Sequence, residues 1–410
     1  MGKRKLLLWI NKYKSHLALV MLLLPLTLHA SFIESTMGTA VVNDATAVYY
    51  NPAALVLLKT PQMIVLNSVG YSSTQFTGQF TQSNTEFTLF GNSITKNNYY
   101  LPSFYIAIPA KNKFTIGFAV LSNFLNKDLD GSSILRYAQS SSSIQNIDYV
   151  PALEVKVNQF LALGAALNFS YADFLLKPTI GFPSLNIPDT QSRNECNGKG
   201  TGYDVGLLLK PSKATTIGFN YRSSITYRLS GKSILEGDPQ LISNHYGFTF
   251  WTPARSVLSI HQSLTDKLGV VGTIHRIQWS IFDDINIHGI ATQIGPRRAI
   301  VDATVPHHLH DTWLLTLGGQ YQVTPRWIIR LASSYNQSPG NGKLQIVNGD
   351  SFILGSSVAY KISKNISIDG GYAHAYILNE NIDIKTPRNQ IEGVTKGDVD
   401  VFSLKLTFSL

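Results

Sequence analysis

Val401-Phe402-Ser403-Leu404-Lys405-Leu406-Thr407-Phe408-Ser409-Leu410 occupies the last ten positions of the chain. Phe402, Leu404, Leu406, Phe408 and Leu410 alternate there with Val401, Ser403, Lys405, Thr407 and Ser409. A period of two places one face of an extended strand in an apolar medium and the other in a polar one. The rhythm recurs upstream. Ile217, Phe219, Tyr221, Ile225, Tyr227 and Leu229 alternate with Thr216, Asn220, Arg222, Ser224, Thr226 and Arg228. Trp327, Ile329, Leu331 and Tyr335 alternate with Arg326, Arg330, Ser334 and Asn336. Residues 114–121, 149–157, 161–171 and 203–210 follow the same pattern with less contrast, and 267–279 is the least regular, which predicts a bulge there.

About 14 such strands are predicted, and an even count places both ends of the barrel sheet on the periplasmic side. They begin near residues 62, 99, 113, 147, 160, 201, 214, 248, 266, 312, 325, 351, 365 and 399. Short turns (Lys111–Asn112, Asn158–Gln159, Pro211–Ser212, Thr265–Asp266, Thr324–Pro325, Ser363–Lys364) alternate with long polar segments near 72–98, 124–146, 173–200, 230–247, 283–311, 337–350 and 380–398. Tight turns on one side and long loops on the other are the asymmetry of an outer-membrane barrel; a soluble sandwich has no reason to sort its connections this way.

Composition agrees. Of 410 residues 44% are hydrophobic but only 14% charged, against roughly a quarter charged in soluble domains. Lys3, Arg4, Lys5, Lys12 and Lys14 followed by the apolar run Leu17–Leu28 and Ala30 predict a secretory signal over residues 1–30, hence Sec-type export. Removing it takes away five basic and no acidic residues, which leaves 29 basic against 25 acidic and a net charge of +4 instead of +9. The basicity therefore belongs to the signal and does not predict a nucleic-acid partner. Cys196 is the only cysteine, which excludes an internal disulfide and a cysteine-built metal site.

Residues 31–60 precede the first strand. A 14-stranded barrel is too wide to be filled by its own side chains, so this segment is expected to plug the lumen, with the barrel formed by residues 61–410. Within it stand Gly38-Thr39-Ala40, Asn43-Asp44-Ala45 and Tyr50-Asn51-Pro52-Ala53-Ala54-Leu55. Further on come Val150-Pro151-Ala152-Leu153, Leu163-Gly164-Ala165-Ala166-Leu167-Asn168, Trp279-Ser280-Ile281-Phe282, and Asp311-Thr312-Trp313 through Leu317-Gly318, then Trp327, Arg330 and Ser338-Pro339. In this order and spacing, over nearly all the mature chain, they resemble the FadL/TodX family of outer-membrane transporters for long-chain fatty acids and other hydrophobic compounds. The resemblance implies a 14-stranded all-β barrel with an N-terminal hatch marked by Gly38, Asp44, Asn51, Pro52 and Ala53. It also implies passive uptake through a greasy internal pocket, and sideways release beside a kinked strand. Each methylene of a fatty acid gains roughly 0.8 kcal/mol by leaving water, so a pocket that opens into the bilayer suits such a ligand better than an aqueous pore.

The polar faces of the clear strands carry Lys156, Lys210, Arg222, Arg228, Arg326, Arg330, Lys361 and Lys405 against Asp148, Glu154, Asp204 and Asp369. A lumen that leans positive attracts a carboxylate, although such charges equally serve to cross-pair and hold the barrel's shape. Arg330, Asp311, His310 and Arg222 are the ligand-binding candidates, Arg330 and Asp311 also through the resemblance. His307, His308 and His310 with Asp302 and Asp311 have metal-like composition, but a solvated loop explains them equally, and no metal or cofactor is expected. No Gly-x-Ser-x-Gly elbow, phosphate loop or dinucleotide fingerprint occurs, and His261 falls on the periplasmic side, so no enzyme is expected. The competing readings are a water-filled diffusion porin and a surface receptor or adhesin on the same barrel. The expected partners are a fatty acid or other hydrophobic ligand, outer-membrane lipid and the barrel-assembly machinery, the protein acting as a monomer in the outer membrane of a Gram-negative cell.

Overall fold

The computed structural model describes residues 37–82, 87–110, 113–340, 342–344, 346, 348–386 and 389–410. The predicted signal, residues 31–36 of the predicted plug and the Lys111–Asn112 turn lie outside the described residues.

The strands are β1 (Gln62–Gln82), β2 (Phe87–Ala110), β3 (Phe114–Leu129), β4 (Ser140–Lys156), β5 (Leu161–Phe182), β6 (Ile187–Leu209), β7 (Thr215–Arg222), β8 (Ile225–Leu235) and β9 (Leu241–Thr252). They continue with β10 (Ala254–Ser263), β11 (Leu268–Gln278), β12 (Asp284–Ile294), β13 (Arg297–Pro306), β14 (Thr312–Gln322), β15 (Trp327–Asn336), β16 (Ser351–Lys361), β17 (Ile366–Lys385) and β18 (Asn389–Ser409). Round the wall the order is β1 to β6, then β7, β10, β11 and β14 to β18, and β18 pairs back onto β1 from Gln62↔Ser409 to Gln82↔Asn389. The result is a closed antiparallel 14-stranded barrel, which leaves no unpaired edge in the membrane. β8 and β9 continue β7 and β10 outward, and β12–β13 is an extra hairpin between β11 and β14.

Two expectations need correcting. Most segments read as long outer loops are paired strand: β1 and β2 remain paired out to Gln82↔Phe87, β17 and β18 to Lys385↔Gln390, and β5 and β6 to Phe182↔Ile187. Beyond the membrane both faces of a strand are wet or covered by loops, so the apolar alternation fades while the backbone ladder continues. The bulge predicted over 267–279 is absent, since β11 pairs with β10 and β14 in unbroken register. Register shifts lie instead at Ile180/Phe182, Gly231/Ser233, Ile287/Ile290 and Ile377/Glu380.

A further irregularity decides how the interior is lined. Between Asn197↔Ser230 and Asp204↔Arg222, β6 spends six residues where the β7–β8 strand spends seven. The one extra residue falls at Ser223–Ser224, and a one-residue slip turns every following side chain to the other face. Below it Asn220 and Arg222 are buried and Phe219 is exposed; above it Tyr227 and Leu229 are buried and Thr226 and Arg228 exposed. β9 and β10 keep step, with Arg222↔Arg255 below Pro253 and Ile225↔Thr252 above it. The row from Ile217 to Leu229, uniform in sequence, therefore faces lipid in its lower half and the lumen in its upper half. Arg228, expected in the lumen, points outward.

Candidate functional site

The lumen is closed by the N-terminal segment. A one-turn helix (Ala47–Tyr50) is followed by a 3-10 turn (Pro52–Leu57), and every residue from Ala45 to Leu55 is buried. Asn51 joins the two: its Oδ1 accepts from Ala53 N–H at 3.2 Å, while its Nδ2 donates to Leu207 O in β6 at 3.2 Å. Pro52 is tolerated at the start of the 3-10 turn because its missing N–H would be an orphan there. The wall makes room with glycine. A Cβ at Gly206 would stand 2.1 Å from Asn51 Oδ1, and one at Gly164 would stand 2.2 Å from the Ala53 nitrogen. Gly38, with φ +86°, begins the descent beside Thr273, whose hydroxyl donates to Met37 O at 2.7 Å.

One ion pair and one arginine fasten this plug. Lys405 Nζ donates to Asp44 Oδ2 at 2.9 Å, and Asp44 Oδ1 also accepts from Thr46 N–H and Oγ1–H. Burial alone would raise the Asp44 carboxyl, but the Lys405 ammonium and the Thr46 donors reverse this and hold it below the ordinary carboxylate value. Arg222 Nη2 donates to Tyr49 O at 2.6 Å, its guanidinium lies 3.4 Å from the Tyr49 ring centroid, and Nε donates to Asp204 Oδ1 at 2.7 Å.

The inverted β8–β9 hairpin fills the outer half of the barrel with rings. Phe174 lies 5.1 Å from Phe250 and 5.9 Å from Phe248. Phe250 lies 5.6 Å from Phe282, which in turn lies 5.8 Å from Trp279. Leu229, Tyr246, Ile277, Ile285 and Ile287 are buried in the same cluster. The β12–β13 hairpin caps it by curling inward: Ala291 N–H donates to Ser233 Oγ and Ala291 O accepts from Ser192 Oγ, both at 2.8 Å. At the margin of the cluster the Tyr227 hydroxyl meets Ser170 Oγ at 2.7 Å, and Ser170 donates to Asp148 Oδ1 at 2.5 Å.

Arg255 stands between cluster and plug. It is 8% exposed, directly opposite Arg222 on one side and Ile277 of the cluster on the other. Its electrostatic neighbours are Arg222, Tyr49, Tyr50 and Asp204, yet among the described residues it makes no hydrogen bond and no ion pair. A buried guanidinium without a bonded carboxylate is costly, and it is a ready receptor for an anionic group. Pro253 breaks the alternation just before it, so no periodic pattern in the sequence marks it.

The residues expected to bind ligand are placed differently from one another. Arg222 holds the plug. Arg330, three residues from the periplasmic end of β15, donates to Asp369 Oδ2 at 2.5 Å and to Ser357 Oγ at 3.3 Å. Asp311 accepts from Ser280 N–H at 3.1 Å and pairs with Arg276 at 3.0 Å, and so braces the Trp279–Ile281 turn. Burial would raise its carboxyl, but Ser280 and Arg276 hold it below the usual value. His310 is exposed and meets Pro339 O through its backbone N–H. The histidine cluster is divided: His307 is buried with Nδ1 3.1 Å from Val305 O, whereas His308 faces Asp283 at 2.6 Å and Asp284 at 3.5 Å on the exposed rim. Among the lumenal cations anticipated, Lys156, Arg326 and Lys361 sit exposed at the periplasmic rim. The apolar lining is hidden in the sequence, because Tyr227 and Leu229 continue a lipid-facing row while Phe174, Tyr246, Ile285 and Ile287 fall in segments that read as polar loops.

A closed barrel plugged from its N-terminus, apolar in its outer lumen and carrying the unpaired buried Arg255 there, defines a transport protein of the outer membrane. The chain belongs to the family described as outer membrane protein transport protein (OMPP1/FadL/TodX), whose model matches residues 35–410. It is thus an outer-membrane transporter of hydrophobic compounds in a Gram-negative cell, a passive device and not an enzyme. Outer membrane protein P1 of Haemophilus influenzae is 21% identical over 380 residues, covering 82% of this chain and 81% of that protein. A putative outer membrane protein of Neisseria meningitidis serogroup B is 24% identical over 385 residues, covering 82% and 81%. In fold the chain is similar to a Pseudomonas aeruginosa FadL homologue (TM-score 0.79, 19% identity, covering 92% of this chain and 96% of that one). It is also similar to the P. putida toluene transporter TodX (TM-score 0.69, 17% identity, covering 92% and 96%).

Proposed function

We propose that the hydrophobic compound is a long-chain fatty acid, with its alkyl chain among the rings of the outer lumen and its carboxylate on Arg255. The observation that carries this reading is the buried Arg255 guanidinium, which lacks a bonded anion and lies between the ring cluster and the plug. A neutral hydrocarbon gives that charge nothing to pair with. Release sideways into the bilayer is supported by a locally weakened ladder in the wall. The β2–β3 ladder skips Leu101–Pro102 opposite Ser122–Asn123, where proline has no N–H to give.

The test is equilibrium binding of radiolabelled palmitate and toluene to the purified full chain and to Arg255→Met. Palmitate binding should fall about tenfold, the value of roughly 1.4 kcal/mol from one lost charge-assisted contact, with toluene unchanged. If palmitate binds Arg255→Met as tightly as the parent, the carboxylate reading fails. The second reading, a monoaromatic hydrocarbon as in the toluene transporter named above, is favoured by the density of rings about Phe250. It predicts tight toluene binding in both proteins.

A further inference from the structure

A second buried cation lies in the outer lumen, apart from the Arg255 site. Lys127 is 5% exposed, near the outer end of β3, and its Nζ has no hydrogen-bond partner among the described residues. The inward side chains directly opposite it are neutral: Asn97 on β2, whose amide is already given to Ser72 Oγ at 2.8 Å, and Ser142 on β4. Asp128, next in the chain, is exposed. One step inward on β4 from Ser142, on the same face, is Ile144, which packs against the ring cluster. Lys127 stands thirteen residues from the periplasmic end of its strand, against eight for Arg255. It therefore edges the same apolar lining on the side nearer the cell exterior. Burying an ammonium is unfavourable by several kcal/mol unless an anion joins it, and among the described residues no carboxylate stands beside it in the sheet.

We propose that Lys127 is a second anion-binding position, where the carboxylate of an incoming alkyl carboxylate is held before the chain moves inward to Arg255. The inference rests on the fatty-acid reading above, and assigns to Lys127 the entry step and to Arg255 the final hold. Charge at the mouth of a low-dielectric site acts first on capture, whereas removal of a buried partner acts on escape.

The experiment is stopped-flow binding of palmitate, and of uncharged hexadecanol, to the full chain, Lys127→Met, Lys127→Arg and Arg255→Met. Lys127→Met should slow palmitate association about tenfold and leave hexadecanol unchanged. Lys127→Arg should restore the rate, and Arg255→Met should instead hasten palmitate dissociation. Should Lys127→Met fail to assemble into a barrel, Lys127→Gln takes its place. Parental association in the lysine variant, with binding weakened in Arg255→Met, overturns the entry site and leaves the fatty-acid reading standing. Palmitate binding unchanged in every variant overturns both. Equal slowing of palmitate and hexadecanol makes Lys127 a shape-holding residue and also overturns the entry site.

Discussion

Arg222 and Arg255 are direct partners across the β7–β10 ladder, yet only Arg222 carries an ion pair and a hydrogen bond to the plug. Asp204 is fully buried, and its other register partner, Ala166 on β5, is neutral. Replacing Arg222 with Met would strand that carboxylate, a change that destabilises by about 3–5 kcal/mol, and would release Tyr49 from its cation–π contact. Arg222→Met should therefore loosen the plug and give steady channels in planar bilayers, where the parent protein stays closed. Parental conductance in the variant would mean that the plug is held without Arg222.

The plug also depends on the absence of side chains in the wall. Gly206→Ala places a methyl group 2.1 Å from Asn51 Oδ1 and 3.1 Å from the Ala53 nitrogen and Pro52 Cδ, so the Asn51–Ala53 junction must shift to admit it. Overpacking of this kind costs about 1–3 kcal/mol. We expect Gly206→Ala to expose the Asn51–Pro52 junction to protease added from the periplasmic side, at a rate well above that of the parent. Gly272→Ala, where nothing lies within 4 Å of the added carbon, is the control and should be silent.

Acid should act through Asp44. Its carboxyl is held below the ordinary carboxylate value in the folded protein, chiefly because Lys405 overcomes the effect of burial. A depressed folded pKa contributes stability that is fully present above the unfolded value and is lost as the pH falls through the folded one. The plug should thus stay seated from neutral pH down to the usual carboxylate range and loosen only below it. Asp44→Asn should behave at pH 7 as the parent does in strong acid. Bilayer conductance followed as a function of pH checks both statements, and an opening midpoint near pH 6 would contradict them.

Much of the barrel was legible because the membrane imposes it. Phe402, Leu404 and their counterparts must alternate wherever one face meets lipid, and the periplasmic turns end that alternation sharply. Where lipid stops, the outward apolar face stops: the outer reaches of β1, β17 and β18 keep only scattered buried residues such as Phe76, Phe80, Ile382, Ile384 and Ile391, which pack on Ile134 and Leu135. The lining of the outer lumen was misread for a more specific reason. Tyr227 and Leu229 continue the odd-numbered row of Phe219 and Tyr221, and only pairing with β6 shows that the extra residue at Ser223–Ser224 has turned them inward. The motif Asn51-Pro52-Ala53 was recognisable as a stop-and-turn signal. The pairing of Asp44 with Lys405 spans nearly the whole chain, and no local pattern encodes it. Arg255 and Lys127 were missed because each lies outside a clean alternating stretch.

Asp311 distinguishes loss of the lining from loss of the charge. Its Oδ1 takes the Ser280 N–H of the Trp279–Ile281 turn, while Oδ2 takes Arg276, which is about half exposed and adds little on its own. Asp311→Asn keeps an acceptor for Ser280 and should bind ligand almost as the parent does. Asp311→Ala leaves the turn without its brace, so Trp279 and Phe282 lose their fixed place in the ring cluster. We expect palmitate and toluene affinity to fall together, by about five- to tenfold, on the order of 1 kcal/mol for one lost local hydrogen bond. Arg255→Met, by contrast, should weaken palmitate alone. A drop confined to palmitate in Asp311→Ala would show that Asp311 acts on the carboxylate through charge and not through the position of Trp279.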